Sequence, residues 1–154
     1  MGCYLKNRKT ILYLSILIIA IVQLGFFNII NRQYLHIVDL EVFIPLLVGV
    51  SAHIILVLLA EQIKEQIVRI IFTLSVLILL VLPIIFYNQL PDFTYQEAIN
   101  LVQENEKINV QEENRKVIYN EKYKPAFYVI TGEQNGITKE FIFDPFGGEY
   151  SILD

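Results

Sequence analysis

The sequence has very little cysteine and histidine, and this scarcity excludes several kinds of site. Cys3 is the single cysteine among 154 residues, so no disulfide can form within the chain. The two histidines are His36 and His53. The sequence contains no cysteine–histidine metal spacing, glycine-rich phosphate loop, HExxH pair or nucleophile elbow. We therefore expect a protein that is not an enzyme, and we predict neither a metal site nor a cofactor.

Charged residues are also scarce, and they are distributed unevenly along the chain. They make up 18% of the residues, whereas an average soluble domain has about 25%. Residues 1–87 carry six Lys or Arg and four Asp or Glu, which gives a net charge of +2. Residues 88–154 carry six Lys or Arg and twelve Asp or Glu, which gives a net charge of −6. This change predicts a domain boundary near residues 87–91, and the acidic second part argues against nucleic-acid binding.

Long apolar runs dominate the first part of the chain. A helix needs about 20 predominantly apolar residues to cross the hydrocarbon core of a bilayer. The runs that meet this requirement are residues 10–30, 42–60 and 67–87. Pro83 lies inside the last run and is expected to kink or end its helix. We predict a three-helix transmembrane region over residues 10–87, preceded by a cytoplasmic tail of residues 1–9, so the lipid bilayer is the first expected partner.

The positions of Lys and Arg predict the orientation of these spans, because cytoplasmic connections carry more of them. The tail and the second connection contain Lys6, Arg8, Lys9, Lys64 and Arg69. The first connection contains Arg32 alone. We therefore expect a multi-pass protein of the cytoplasmic membrane, with its N-terminus inside and residues 91–154 outside.

The acidic part has the pattern of a small α+β domain. Thr94 and Glu97 have the spacing of a capping box, in which each side chain accepts a hydrogen bond from a free amide at a helix start. The apolar residues of the predicted helix share one face and are Tyr95, Ala98, Ile99 and Val102. Strand-like segments AFYVIT and KEFIFD flank Asn135-Gly136, a strong hairpin signal. With EYSIL as a last strand, we predict one helix packed on an antiparallel sheet of three or four strands.

The hairpin register predicts two apolar faces on this sheet. The residues that would face the helix are Tyr128, Ile130, Phe141 and Phe143. The opposite face would carry Phe127, Val129 and Ile142, which the same helix cannot also cover. We predict that this second face binds another protein, a second copy of the chain or the bilayer surface. The alternative is burial beneath the segment 106–124.

The segment Asp144-Pro145-Phe146-Gly147-Gly148 predicts a structural turn before the last strand. Proline presets φ for a turn, and glycine permits backbone conformations that other residues resist. A metal-binding role for Asp144 is the alternative, but a single carboxylate has no neighbouring ligand cluster in the sequence.

Three segments of the acidic part resemble a PepSY domain. They are TYQEAINLV, KPAFYVITG and EFIFDPFGGEYSIL, and the matching positions are Glu97-Ala98, Tyr128-Val129 and Asp144 to Glu149. Gly147 stands where the family usually has Thr, and Tyr150 where it often has Val. The resemblance covers about residues 92–153. It implies a non-catalytic module on the outer side of a bacterial membrane that binds or restrains a partner, such as a peptidase or another envelope protein.

His53 lies near the centre of the second apolar run and is a candidate intramembrane polar site. An ionisable group at that depth is costly, so it can mark a proton path or a metal site. Glu61 lies two helical turns further on, on the same face. The alternative is a neutral imidazole that hydrogen-bonds to another helix. A small transport or channel subunit with His53 in its path is therefore the second hypothesis for the function.

Overall fold

The computed structural model describes residues 2–59, 64–110, 116–119, 126–134 and 136–153, with side chains from residue 10 onward. These residues form two compact units. The helical unit comprises Met1–Asn28 and Asp39–Gln89. The α+β unit comprises Ile29–Val38 and Leu90–Asp154.

Three helices precede the α+β sequence. They are α1 (Gly2–Gln33), α2 (Phe43–Leu59) and α3 (Glu65–Asn88). Of the described helices, α1 over Thr10–Gln33 and α3 are long and apolar enough to cross a membrane. The described part of α2 has 17 residues and is shorter than both. The structure therefore has two helices that meet the requirement for a span, where the sequence predicted three.

Each of the three helices buries only a narrow stripe of side chains. The buried positions recur at intervals of three and four residues, with one interval of seven in α1, which is the spacing of one helix face. In α1 they are Tyr13, Ile16, Ala20 and Phe27; in α2 Phe43, Leu47, Val50 and Ile54; in α3 Ser75, Leu79, Leu82 and Phe86. The rings of Phe27 and Phe86 stack with centroids 4.3 Å apart, and Phe43 meets each of them edge-on at 5.7 Å. This aromatic cluster links all three helices of the helical unit.

A polar contact between α1 and α3 explains how Pro83 is accommodated. The sequence predicted a kink or an end at Pro83, and α3 does not end there but continues to Asn88. Proline has no N–H, so the carbonyl of Leu79, four residues earlier, loses its helical donor. The Gln23 side chain supplies the missing bond, because its Nε2 donates to the Leu79 oxygen at 2.7 Å. Gln23 thus satisfies an acceptor that would otherwise be unpaired in an apolar bundle.

In the α+β unit, helix α4 (Tyr95–Glu106) begins at the predicted capping box. The Glu97 N–H donates to Thr94 Oγ1 at 3.3 Å, and the Thr94 N–H donates to Glu97 Oε2 at 2.8 Å. The four apolar residues predicted to share a face of this helix are all buried. The capping box and the helix face are therefore confirmed.

The sheet of the α+β unit has five described strands that occupy four positions across it. They are β1 (Asn109–Val110), β2 (Lys116–Tyr119), β3 (Ala126–Gln134), β4 (Ile137–Phe143) and β5 (Tyr150–Leu153). Both β1 and β2 pair with β3, and β4 lies between β3 and β5, all antiparallel. The register pairs Ile130 with Phe141 and Tyr128 with Phe143, as predicted. The short strand β1 was not predicted.

The α4 side of the sheet forms the core of this unit. The buried side chains of α4 pack with Ile108, Tyr128, Ile130, Phe141 and Phe143. Leu35 and Ile37 also pack against this core, although they come from the connection after α1. The buried Asn31 side chain shapes that connection, since it donates to the Val38 oxygen at 2.8 Å and accepts from the Val38 N–H at 3.1 Å. The segment Ile29–Val38, which comprises the end of α1 and the start of the connection, is thus part of the α+β unit.

Candidate functional site

The candidate sites are the outer face of the sheet, the turn at Asp144 and the groove beside His53. The outer face of the sheet is the face opposite α4. On it, Ile118 of β2 pairs with Phe127, and Ser151 of β5 pairs with Ile142. Val129 is only 3% exposed, whereas Phe127 and Ile142 are half-buried. A partner on this face would therefore touch Phe127 and Ile142 far more than Val129. The alternative prediction was that the segment 106–124 buries this face. Residues 111–115 and 120–124 of that segment lie outside the described residues.

The turn at Asp144 is closed by a compact set of hydrogen bonds. The Asp144 carboxylate accepts a hydrogen bond from the Phe146 N–H at 2.9 Å. The backbone carbonyl of Asp144 accepts one from the Gly148 N–H, also at 2.9 Å. Pro145 is fully buried, and its carbonyl accepts from the Phe93 N–H at 3.0 Å. These bonds hold the turn against Phe93, which lies just before the N-cap residue of α4. Over the described residues, no group of three or more His, Cys, Asp or Glu is arranged to hold a metal ion.

Gly147 and Gly148 have different roles in this turn. Gly148 adopts a φ of +72°, a left-handed conformation that glycine reaches at little cost. A Cβ there would lie 2.8 Å from the Phe93 ring. A Cβ on Gly147 would lie 3.0 Å from the Asp144 carboxylate. Gly148 therefore lets the turn approach Phe93, and Gly147 leaves room for the Asp144 side chain.

A polar groove of about 240 Å³ lies within the α+β unit beside the start of α4. Its lining residues are Arg32, Gln33, Leu35, Thr94, Tyr95 and Gln96. A helix N-terminus often attracts an anion, but here the Glu97 carboxylate already occupies that place. The hydrogen bonds from the Thr94 backbone and side chain lower the pKa of Glu97. The capping box therefore weakens this groove as an anion site, although Arg32 lines it.

Tyr128 lies at the centre of the core and donates its hydroxyl to the Phe93 carbonyl at 3.1 Å. Burial raises the pKa of Tyr128, and the nearby Tyr34 and Glu97 raise it further. The hydroxyl therefore stays protonated and acts as a structural donor, not as an acid or base at neutral pH.

His53 is exposed on α2, where it lines an apolar groove of about 230 Å³ in the helical unit. The residues around it come from α2 and α3 and include Gly49, Val50, Leu74 and Ser75. The His53 Nδ1–H donates to the Gly49 carbonyl at 2.6 Å, one turn earlier in the same helix. The expected hydrogen bond to another helix is therefore replaced by a bond within α2. Glu61, its predicted companion, lies outside the described residues.

Comparison with known proteins found no matching family model, no similar curated protein and no similar solved structure.

Proposed function

We propose that this chain is a multi-pass protein of a bacterial cytoplasmic membrane whose three helices hold the α+β unit on the outer side. The N-terminus lies inside. The α+β unit, which is similar to a PepSY domain, binds or restrains an envelope protein such as a peptidase and catalyses no reaction. The PepSY resemblance rests on the three sequence segments, and a helix followed by an antiparallel sheet is compatible with it.

The exposed apolar faces of α1 and α3 are the observation that carries the membrane assignment. The core helix of a soluble protein is mostly buried, but only 22% of each apolar window is buried here. Exposed apolar side chains include Ile11, Ile18, Ile21 and Val22 of α1 and Ile70, Leu77, Leu80 and Ile84 of α3. So large an apolar surface is unfavourable in water, and lipid chains would cover it.

The α+β unit is built from one segment before α2 and one after α3, and this arrangement supports a crossing by α2 as well. Leu35 and Ile37 precede α2 and α3, whereas the core against which they pack follows both helices. A compact unit lies on one side of a membrane, so the chain between its two segments crosses an even number of times. If α3 crosses, α2 crosses too, and its 17 residues are at the short end of the range for a span.

The distribution of Lys and Arg supports the orientation. Lys64 and Arg69 lie in or near the connection between α2 and α3, and the tail before α1 is also basic. The segment Ile29–Val38, which includes the last turn of α1 and belongs to the α+β unit, has Arg32 alone. The bias therefore favours an α+β unit outside the cytoplasm.

Cysteine labelling in intact cells tests this proposal. In a chain with Cys3→Ser, single cysteines replace Ser151 or Lys64, both of which are exposed. We expect an impermeant thiol reagent to label the Ser151 variant and to leave the Lys64 variant unlabelled until the cells are opened. Crosslinking through position 151 then captures the partner. Labelling at position 64 alone would place the α+β unit in the cytoplasm and contradict the proposal.

A further inference from the structure

The two edges of the sheet differ in how well they are protected against another strand. One edge is interrupted between β1 and β2, and β2 begins with Lys116. An interrupted edge and an edge lysine both hinder the addition of another strand. The other edge is β5, with the sequence Tyr-Ser-Ile-Leu. It has no proline and no charged residue, and within the described part of the chain it pairs only with β4. Edge β5 is as short as β2, but it is uninterrupted and lacks the proline or charged residue that usually protects an edge.

The hydrogen-bond pattern shows which backbone groups of β5 point outward. Bonded and non-bonded positions alternate along an antiparallel pair. The Asp144 N–H donates to the Glu149 carbonyl at 2.8 Å, so this is a bonded position. By alternation Ser151 bonds to β4, whereas Tyr150 and Ile152 direct their N–H and C=O groups away from it. These groups form a template for one more strand.

The side chains around β5 are apolar or acidic. Ile152 and Leu153 are 48% and 42% exposed. Glu140 lies opposite Leu153 on β4, and Glu149 immediately precedes β5; both are exposed. The Glu106 carboxylate accepts from the Tyr150 hydroxyl at 3.1 Å. A strand beside β5 would therefore be favoured by apolar and basic side chains.

We propose that β5 binds an extended basic segment of another protein as an added strand. The backbone groups of Tyr150 and Ile152 supply the pairing, and the surrounding carboxylates select the charge. Pairing of β5 with β5 of a second copy would bring the glutamates together and is disfavoured. This inference rests on the proposed function, because it specifies the kind of partner that the α+β unit binds.

Peptide binding to the purified full-length chain in detergent tests this inference. The probe is a short peptide that alternates Lys and Val, and its counterpart alternates Glu and Val. We expect the basic peptide to bind more tightly by about tenfold or more, as charge complementarity predicts. Methylation of every backbone nitrogen keeps the charge but removes all N–H donors, and should weaken binding by about tenfold. Methylation of every second backbone nitrogen blocks only one edge of the extended peptide, because successive N–H groups point to opposite edges. The other edge can still pair with β5, so binding should be preserved.

Two variants of the chain provide a matched comparison. Ile152→Pro removes an outward N–H and keeps the pairing with β4, because proline is tolerated on an edge where the N–H faces solvent. We expect it to weaken binding, but less than full methylation of the peptide does, because it removes only one of the hydrogen bonds. Ile152→Thr keeps the N–H and should retain most of the binding. The methylated peptides test the unchanged chain, so the result does not depend on whether Ile152→Pro folds.

Three results would overturn the inference. They are equal binding of the fully methylated peptide, equal binding of the acidic peptide, and a dimer of the unchanged chain that Ile152→Pro converts to a monomer. Failure here is distinguishable from failure of the proposed function. If position 151 is labelled from outside but no peptide binds, only the edge inference is wrong. If peptide binds but the reagent labels position 64 alone in intact cells, the membrane orientation is wrong.

Discussion

Two glycines with a positive φ allow the cost of a turn conformation to be separated from the cost of crowding. Gly136 has a φ of +78° and open space around it, whereas Gly148 has a φ of +72° and lies against Phe93. We expect Gly136→Ala to cost about 1 kcal/mol, for the left-handed backbone alone. Gly148→Ala should cost a further 1–3 kcal/mol or so, because Phe93 must move. Unfolding of the two variants followed by circular dichroism measures the difference, and equal losses would show that Phe93 yields freely.

The Glu97 carboxylate makes the stability of the α+β unit depend on pH in a predictable direction. Its folded pKa lies below its unfolded pKa because the Thr94 backbone and hydroxyl bond to the carboxylate. The stability that it contributes is therefore complete above the unfolded pKa and is lost as pH falls through the folded pKa. We expect Glu97→Gln to flatten this part of the acid unfolding profile. An unchanged profile in the variant would mean that other groups control acid unfolding.

At the scale of the element, the bond between Gln23 and the Leu79 carbonyl makes α3 dependent on α1. Gln23→Leu should destabilise the chain by about 1 kcal/mol, because the loss of a donor to a buried carbonyl is partly offset by removal of Gln23 Oε1, which is buried and has no hydrogen-bond partner. In a Pro83→Ala background the N–H of residue 83 returns and bonds to Leu79 within the helix. We therefore expect Gln23→Leu to cost little there.

A double-mutant cycle on the purified protein measures this coupling. The four chains required are the unchanged chain, the two single variants and the double variant. If Gln23→Leu costs the same in both backgrounds, its effect comes from packing and not from the carbonyl that Pro83 exposes.

The elements that the sequence predicted well are those controlled by local rules. Thr94 and Glu97 mark the start of α4, and Asn135-Gly136 marks a hairpin whose register follows once its turn is placed. The contribution of Leu35 and Ile37 to the core depends on contacts with residues far along the chain. Leu35 and His36 also adopt a positive φ without any glycine to signal it. These features were therefore not predictable from local patterns.

The candidate sites were less predictable than the fold. Alternation placed Phe127, Val129 and Ile142 on one face, but alternation does not determine how deeply each one is buried, and Val129 is nearly inaccessible. For His53, the apolar run predicted its depth but not its bond to the Gly49 carbonyl. The bond from Gln23 to Leu79 had a usable signal, namely a glutamine near the middle of one apolar run and a proline in another.

At the scale of the whole molecule, His53 separates the two functional hypotheses. If the helices serve to hold the α+β unit, His53→Leu should leave expression, labelling at position 151 and partner crosslinking unchanged. A transport subunit with His53 in its path would instead lose its flux while keeping its fold. Crosslinking yield in the two chains checks the prediction, and a loss of partner capture in a folded His53→Leu protein would contradict it.

The central claim is that three helices cross the membrane, so that the connection after α1 and the sheet lie on the same side. Single cysteines at Glu41 and Lys64, which flank α2 and are both exposed, test whether α2 crosses the membrane. In intact cells with Cys3→Ser, we predict that an impermeant reagent labels position 41 and not position 64. Labelling of both positions, or of neither, would show that α2 does not cross and would contradict the account.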